Sequence, residues 1–208
     1  MHLELPFFSQ EECDEIKTYA YNIERELTEQ GFDTYKSDGA ATDAITTNNF
    51  FRYNFFQAFP QYADRLADCL SQTNPNLDWP IVVQSWVNVY RKGQGIDWHN
   101  HTGTIGKSFT ANIFISGPTK PGITYKEFNQ KAYTAENKVG YIHMIPCELY
   151  HSVPEVKGDE DRITVGVTIH SYQTVQRDML NQIAFNSRMY QDTIILTREH
   201  FDGTRKDI

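Results

Sequence analysis

Two histidines stand two residues apart in Asp97-Trp98-His99-Asn100-His101. On a strand, such residues share a face, so both imidazoles would look the same way. Two neutral nitrogen donors on one face suit Fe, Zn, Cu or Ni. Alone, the pair reads equally well as a polar loop with exposed histidines. A third histidine, His151, follows the apolar run Gly140-Tyr141-Ile142-His143-Met144-Ile145-Pro146 and the link Cys147-Glu148-Leu149-Tyr150. At the start of a returning strand it would face the first pair across the mouth of a barrel. Three protein ligands on one side leave the opposite coordination positions open. Asp97 is an alternative partner for His99, although it precedes that histidine in the chain.

Arg162 opens the strand-like run Ile163-Thr164-Val165-Gly166-Val167-Thr168. By period two, Arg162 and Thr164 share a face. A guanidinium fork plus a hydroxyl makes a receptor for a carboxylate. An arginine at a strand start is more often a solvated edge residue; the histidine set is what favours the receptor. His143 reads as a packed or edge histidine, and His170 sits too far along its strand to join the site easily.

The elements that must position these groups are mostly strands. From Trp79 to about Ser171 the rhythm is period two, with turns at Gly117-Pro118, Lys120-Pro121-Gly122 and Lys157-Gly158-Asp159. Trp86, Asn88 and Tyr90 share one face of a strand, Val87 and Val89 the other, and a second strand spans Ser108 to Ile115. Before this core, Leu5-Pro6-Phe7-Phe8 reads as a short strand. Ser9 and Glu12 have capping-box spacing. A helix follows, burying Cys13, Ile16, Ala20, Ile23 and Leu27, with Gly31 as its stop. Residues 32–48 read as a long loop, with room for one strand. Asn49 to Phe59 is dense in aromatics and reads as core, or in part as a cleft wall. Gln61 to Leu70 is a short amphipathic helix that Asn74-Pro75-Asn76 breaks. A last helix is expected over 172–189 and an edge strand over 193–196.

The 208 residues fit a single domain: a helical part to about 75, a β core over about 79–171, and a helix and tail over 172–208. Hydrophobic residues make up 39% and charged residues 22%, which excludes wholesale disorder. The net charge of −8 argues against a general binder of duplex nucleic acid or anionic membranes. Cys13, Cys69 and Cys147 are odd in number and far apart, so they read as reduced thiols. With no apolar run of membrane-spanning length and no secretory signature at the start, a cytoplasmic protein is expected.

Tyr90, Gly93, His99, His151, Arg162 and Thr164 fall in a recognisable order, as do Pro121-Gly122 before Ile123-Thr124-Tyr125. The stretch over about 84–171 resembles the Fe(II)- and 2-oxoglutarate-dependent oxygenase superfamily, most of all its prolyl-hydroxylase-type branch. Leu5 to Ile16 gives a looser echo. The resemblance implies a mostly β fold with packed helices, built on a double-stranded β-helix (jelly-roll, cupin-like) core. It implies Fe(II), 2-oxoglutarate as cosubstrate and O2. The products would be succinate and an oxidised substrate, itself a small molecule or a peptidyl residue. His99, His101 and His151 would be the catalytic metal ligands. Arg162 and Thr164 would take the remote carboxylate of 2-oxoglutarate, with Tyr90 and Asn112 assisting.

The chain departs from the family at His101, where the usual residue is a carboxylate. A three-histidine set lacks that negative charge, which should weaken retention of a divalent ion and make it more pH-sensitive. A cupin-like three-histidine metalloprotein that does not use 2-oxoglutarate, or a non-catalytic relative, would leave a similar strand pattern.

Overall fold

The computed structural model describes residues 3–32, 42–73, 80–101, 109–127, 131–172 and 194–196. Its core is two antiparallel sheets facing each other. The larger contains β1 (Leu3–Pro6), β2 (Ile81–Tyr90), β4 (Phe109–Ser116), β7 (Tyr141–Pro146), β9 (Arg162–Ser171) and β10 (Ile194–Leu196), in the order β1-β7-β4-β9-β2-β10. The smaller contains β3 (Ile96–His99), β5 (Ile123–Lys126), β6 (Tyr133–Ala135) and β8 (Tyr150–Val153), in the order β3-β8-β5-β6. From β2 to β9 the chain crosses back and forth between the sheets, the winding of a double-stranded β-helix.

All ten residues of β2 and all ten of β9 are buried. Both faces of the larger sheet are therefore covered, and the two faces differ in chemistry. Val83, Val87, Val89, Ala111, Ile113, Ile115, Ile163, Val165, Val167 and Ile169 pack against the helices in one apolar core. Each fully buried Val or Ile contributes roughly 1.5–3 kcal/mol relative to exposure. The alternate residues Asn88, Tyr90, Thr110, Asn112, Arg162, Thr164 and Thr168 are mainly polar. They belong to the opposite face, toward the smaller sheet.

The helical cover is α1 (Gln10–Glu29) and α4 (Pro60–Thr73), with two single turns, α2 (Ile45–Asn48) and α3 (Phe55–Ala58). The capping box forms as expected: Glu12 N–H donates to Ser9 Oγ at 3.2 Å and Ser9 N–H to a Glu12 carboxylate oxygen at 2.8 Å. Cys13, Ile16, Ala20 and Leu27 are buried and Ile23 partly so.

The first strand begins and ends two residues earlier than the sequence suggests. Phe7 and Phe8 leave it because both their N–H groups converge on Gly140 O, at 2.7 and 2.8 Å. Gly140 turns there with φ +77°, and an added Cβ would lie 2.1 Å from Phe8 O. Of the loop expected over 32–48, residues 33–41 lie outside the described residues; its end forms the turn α2. Its Thr46 Oγ accepts from Val89 N–H at 3.0 Å, which fastens it to β2. Phe55, Phe56 and Phe59 are core, as the aromatic-dense segment suggests. The edge strand near 193–196 is present as β10, paired with β2. The helix expected over 172–189 lies outside the described residues, apart from Tyr172. Cys13, Cys69 and Cys147 are free thiols. No helix among the described residues is long and apolar enough to cross a membrane.

Candidate metal centre

The centre forms where β3 runs beside β8. Ile96 pairs with Val153 and His99 with His151, so Asp97 and Trp98 together stand opposite Ser152. This is a β-bulge, which re-aims the side chains that follow it. It shifts the alternation by one, and Ile96 and His99 both line the central cavity. Asp97 and Trp98 are exposed, Trp98 by 47%. His101 lies just past the strand, where its N–H donates to Cys147 O at 2.9 Å.

The three rings converge. Centroids lie 4.2 Å apart for His99 and His151, 5.2 Å for His101 and His151, and 5.3 Å for His99 and His101. One nitrogen of each ring lies within 4.8 Å of the other two. Asp97 is outside this cluster; its part is to accept a hydrogen bond from His99 Nδ1, at 2.8 Å, on its backbone oxygen. Leu149 O does the same for His151 Nδ1 at 3.1 Å. A carbonyl only accepts, so both Nδ1 atoms carry the proton and both Nε2 atoms keep a lone pair for a metal.

Burial holds all three imidazoles below their ordinary range. His101 lies well below it, the neighbouring His151, His99 and His170 adding to burial; His151 is pushed down to about 4 by burial and then by His99. The rings are therefore neutral at pH 7, the form that ligates. Unprotonated and convergent, with His99 and His151 oriented by backbone carbonyls, the set fits a divalent ion of the Fe(II) class.

Of the remaining sequence candidates, Tyr90 and Asn112 line the cavity of this cluster; Arg162 and Thr164 are not among its lining residues and meet it through their neighbours Tyr90 and Asn112. The cavity opens to solvent, and Tyr90, Asn112, His99, His101 and His151 all line it. Arg162 pairs with Tyr90 across β9 and β2 and is 1% exposed. Its Nη1 donates to Pro154 O at 3.3 Å and its Nη2 to Pro121 O at 2.5 Å, while Nε has no partner. No carboxylate among the described residues pairs with it. A buried cation in that condition is strongly unfavourable unless an anion joins it. Burial also pushes the Tyr90 hydroxyl up to about 12; that hydroxyl hydrogen-bonds to Thr47. Thr164 Oγ takes hydrogen bonds from Asn88 Nδ2 at 2.9 Å and Asn112 Nδ2 at 3.1 Å.

Four residues without an assigned role also belong here: Thr47, Trp86, Asn88 and Tyr125 line the same cavity. Asn88 had a signal, a polar amide between valines, on a strand face it shares with Trp86 and Tyr90. Trp86 lies over Gly166, where any Cβ would come within 2.6 Å of the indole. Thr47 comes from α2, which no local pattern announced. His143 is buried, as expected of a packed histidine, and it too lines the cavity. His170 is buried outside the cluster.

No protein-family profile matches the sequence, and no curated protein matches it. Solved structures do match. One is a viral collagen prolyl hydroxylase from Paramecium Bursaria Chlorella virus-1. It has a TM-score of 0.59 and 14% identity, over 82% of this chain and 96% of that one. Another is SnoK, a non-heme alpha-ketoglutarate-dependent carbocyclase of nogalamycin biosynthesis. Its TM-score is 0.60 at 13% identity, over 94% of this chain and 92% of that one. A Pseudomonas putida prolyl-4-hydroxylase follows at 0.53 and 11%, over 82% and 92%. The chain has the double-stranded β-helix fold of Fe(II)- and 2-oxoglutarate-dependent oxygenases.

Proposed function

We propose that this chain is a non-heme Fe(II) and 2-oxoglutarate-dependent dioxygenase of the hydroxylase type, acting on a small molecule or a peptidyl residue. The observation that carries this reading is Arg162: a buried guanidinium with an unpartnered Nε, paired across the sheet with Tyr90, which lines the cavity of three neutral, convergent imidazoles. In a three-histidine metalloprotein that takes no dicarboxylate, the guanidinium would serve only to bridge Pro154 O and Pro121 O, and its buried charge would have no anion to offset it.

His99, His101 and His151 would hold the metal, each through one imidazole nitrogen. Arg162, with the Thr164 hydroxyl, would receive the remote carboxylate of the cosubstrate. Tyr90 and Asn112 line the cavity; the second N–H of the Asn112 amide would be a donor to a bound oxygen, and Tyr90 would assist at the receptor. When bound, the metal and cosubstrate supply the oxidising chemistry, coupling O2 and decarboxylation of 2-oxoglutarate to oxidation of the substrate. The protein's share is to orient the cosubstrate and exclude water. Duplex nucleic acid is not expected as a partner, given the net charge of −8.

The test is product formation. Protein loaded anaerobically with Fe(II), then given O2 and 2-oxoglutarate, should release succinate above a metal-free control, and His151→Ala should abolish the excess. Tight metal loading with neither 2-oxoglutarate binding nor succinate would overturn the reading.

A further inference from the structure

The geometry points to Asn88 as a positioning residue for the cosubstrate carboxylate, acting through Thr164. The inference rests on the 2-oxoglutarate reading above. Trp86 Nε1 lies 2.9 Å from Asn88 Oδ1. An indole nitrogen only donates, so this contact fixes which way the Asn88 amide points. Thr47 Oγ lies 2.7 Å from the same Oδ1. Asn88 Nδ2 is thereby turned to Thr164 Oγ at 2.9 Å, and an amide nitrogen only donates. Asn112 Nδ2 reaches the same hydroxyl oxygen at 3.1 Å.

A threonine hydroxyl has two lone pairs and one proton. Both lone pairs of Thr164 are taken, which leaves the proton for an acceptor. Thr164 is on the strand face of Arg162, so a carboxylate drawn to the guanidinium is the natural acceptor. Asn88, Thr164, Thr47 and Trp86 are each less than 10% exposed, so water does not scramble the network. Hydrogen bonds in such surroundings polarise one another and hold their direction. Asn88 thus turns a hydroxyl rotor into a fixed donor. Its other end holds the Trp86 ring, whose centroid is 6.4 Å from that of His101.

Asn88→Asp is close to isosteric. Its carboxylate still accepts from Trp86 and Thr47 but cannot donate to Thr164, whose proton turns toward it. The experiment titrates 2-oxoglutarate into Mn(II)-loaded protein without oxygen, for wild type, Asn88→Asp, Thr164→Val and the double variant. Mn(II) affinity alone is measured in parallel. Losing a hydrogen bond to a charged group should weaken 2-oxoglutarate roughly tenfold to hundredfold. Mn(II) affinity should stay within about twofold in Thr164→Val and should not fall in Asn88→Asp, and in the Thr164→Val background Asn88→Asp should weaken 2-oxoglutarate by no more than about a further twofold.

An unchanged affinity in Asn88→Asp overturns the role. So does a full effect that persists without the Thr164 hydroxyl, since it would be direct charge repulsion. Should Asn88→Asp fail to fold, Trp86→Phe removes the donor that orients the amide. It should weaken 2-oxoglutarate roughly two- to tenfold, and no change there also overturns the role. Failure of wild type to bind 2-oxoglutarate would bring down the underlying reading, and the role of Asn88 with it. That result is distinct from a wild type that binds and a variant that binds equally well.

Discussion

His99 and His151 face each other across the β3–β8 pair with ring centroids 4.2 Å apart. The bulge of Asp97 and Trp98 sets this pairing. In a regular strand, residues three apart point to opposite sides; here Ile96 and His99 both face the cavity. Asp97, which plain alternation would put beside His99, is exposed instead.

The ligand set has a direct check. His151→Ala should lower affinity for Fe(II) or Mn(II) roughly hundredfold, since it removes one of three donors. Asp97→Asn should leave affinity within about twofold. Titration of apo protein with either metal reads both. Equal losses in the two variants would mean that Asp97 ligates.

His101 carries a charge argument. Three neutral imidazoles leave the full charge of a divalent ion for the cosubstrate to offset, so metal and 2-oxoglutarate should bind with strong mutual reinforcement. An added carboxylate about 4 Å from a unit charge is worth about 4 kcal/mol at an effective dielectric near 20. His101→Asp should therefore tighten Mn(II) binding without cosubstrate at least about tenfold. It should also shrink the factor by which 2-oxoglutarate strengthens that binding. An unchanged coupling factor would remove the charge argument.

Stability should fall in mild acid, with His170 as one cause. Burial pushes it down to about 4 from an ordinary 6.5. The folded-state value is depressed, so between these limits the unfolded chain takes up a proton that the folded chain refuses. The contribution is complete above pH 6.5 and is lost as pH falls toward 4, about 3 kcal/mol in all. Urea unfolding of metal-free protein at pH 7 and pH 4.5 should show a smaller difference for His170→Gln than for wild type. Equal differences would assign the acid sensitivity elsewhere.

Much of the arrangement is legible in the sequence because strand parity is local. Even-numbered residues of β9 put Arg162 and Thr164 on one face, and β2 does the same for Trp86, Asn88 and Tyr90. The capping box at Ser9 and the buried face of α1 follow from spacing alone. The bulge in β3 depends on pairing with β8, which no local pattern of β3 encodes. Thr47 joins the site through contacts of α2 with a strand some forty residues on, at Asn88 and Val89. The role of Asn88 likewise depends on Trp86 and Thr164 meeting it in the fold. That Arg162 shares a face with Thr164 is legible, but its burial without a carboxylate partner among the described residues is a fact of the assembled barrel.

The central claim is that Arg162 receives the carboxylate of 2-oxoglutarate beside the histidine cluster. Its most direct test is calorimetric titration of 2-oxoglutarate into metal-loaded protein under anaerobic conditions, wild type against Arg162→Ala. Truncating one partner of a buried charge pair costs about 2–5 kcal/mol, so affinity should fall roughly 30-fold or more. Metal affinity without cosubstrate should stay nearly constant. Equal 2-oxoglutarate affinity in the two proteins would contradict the account.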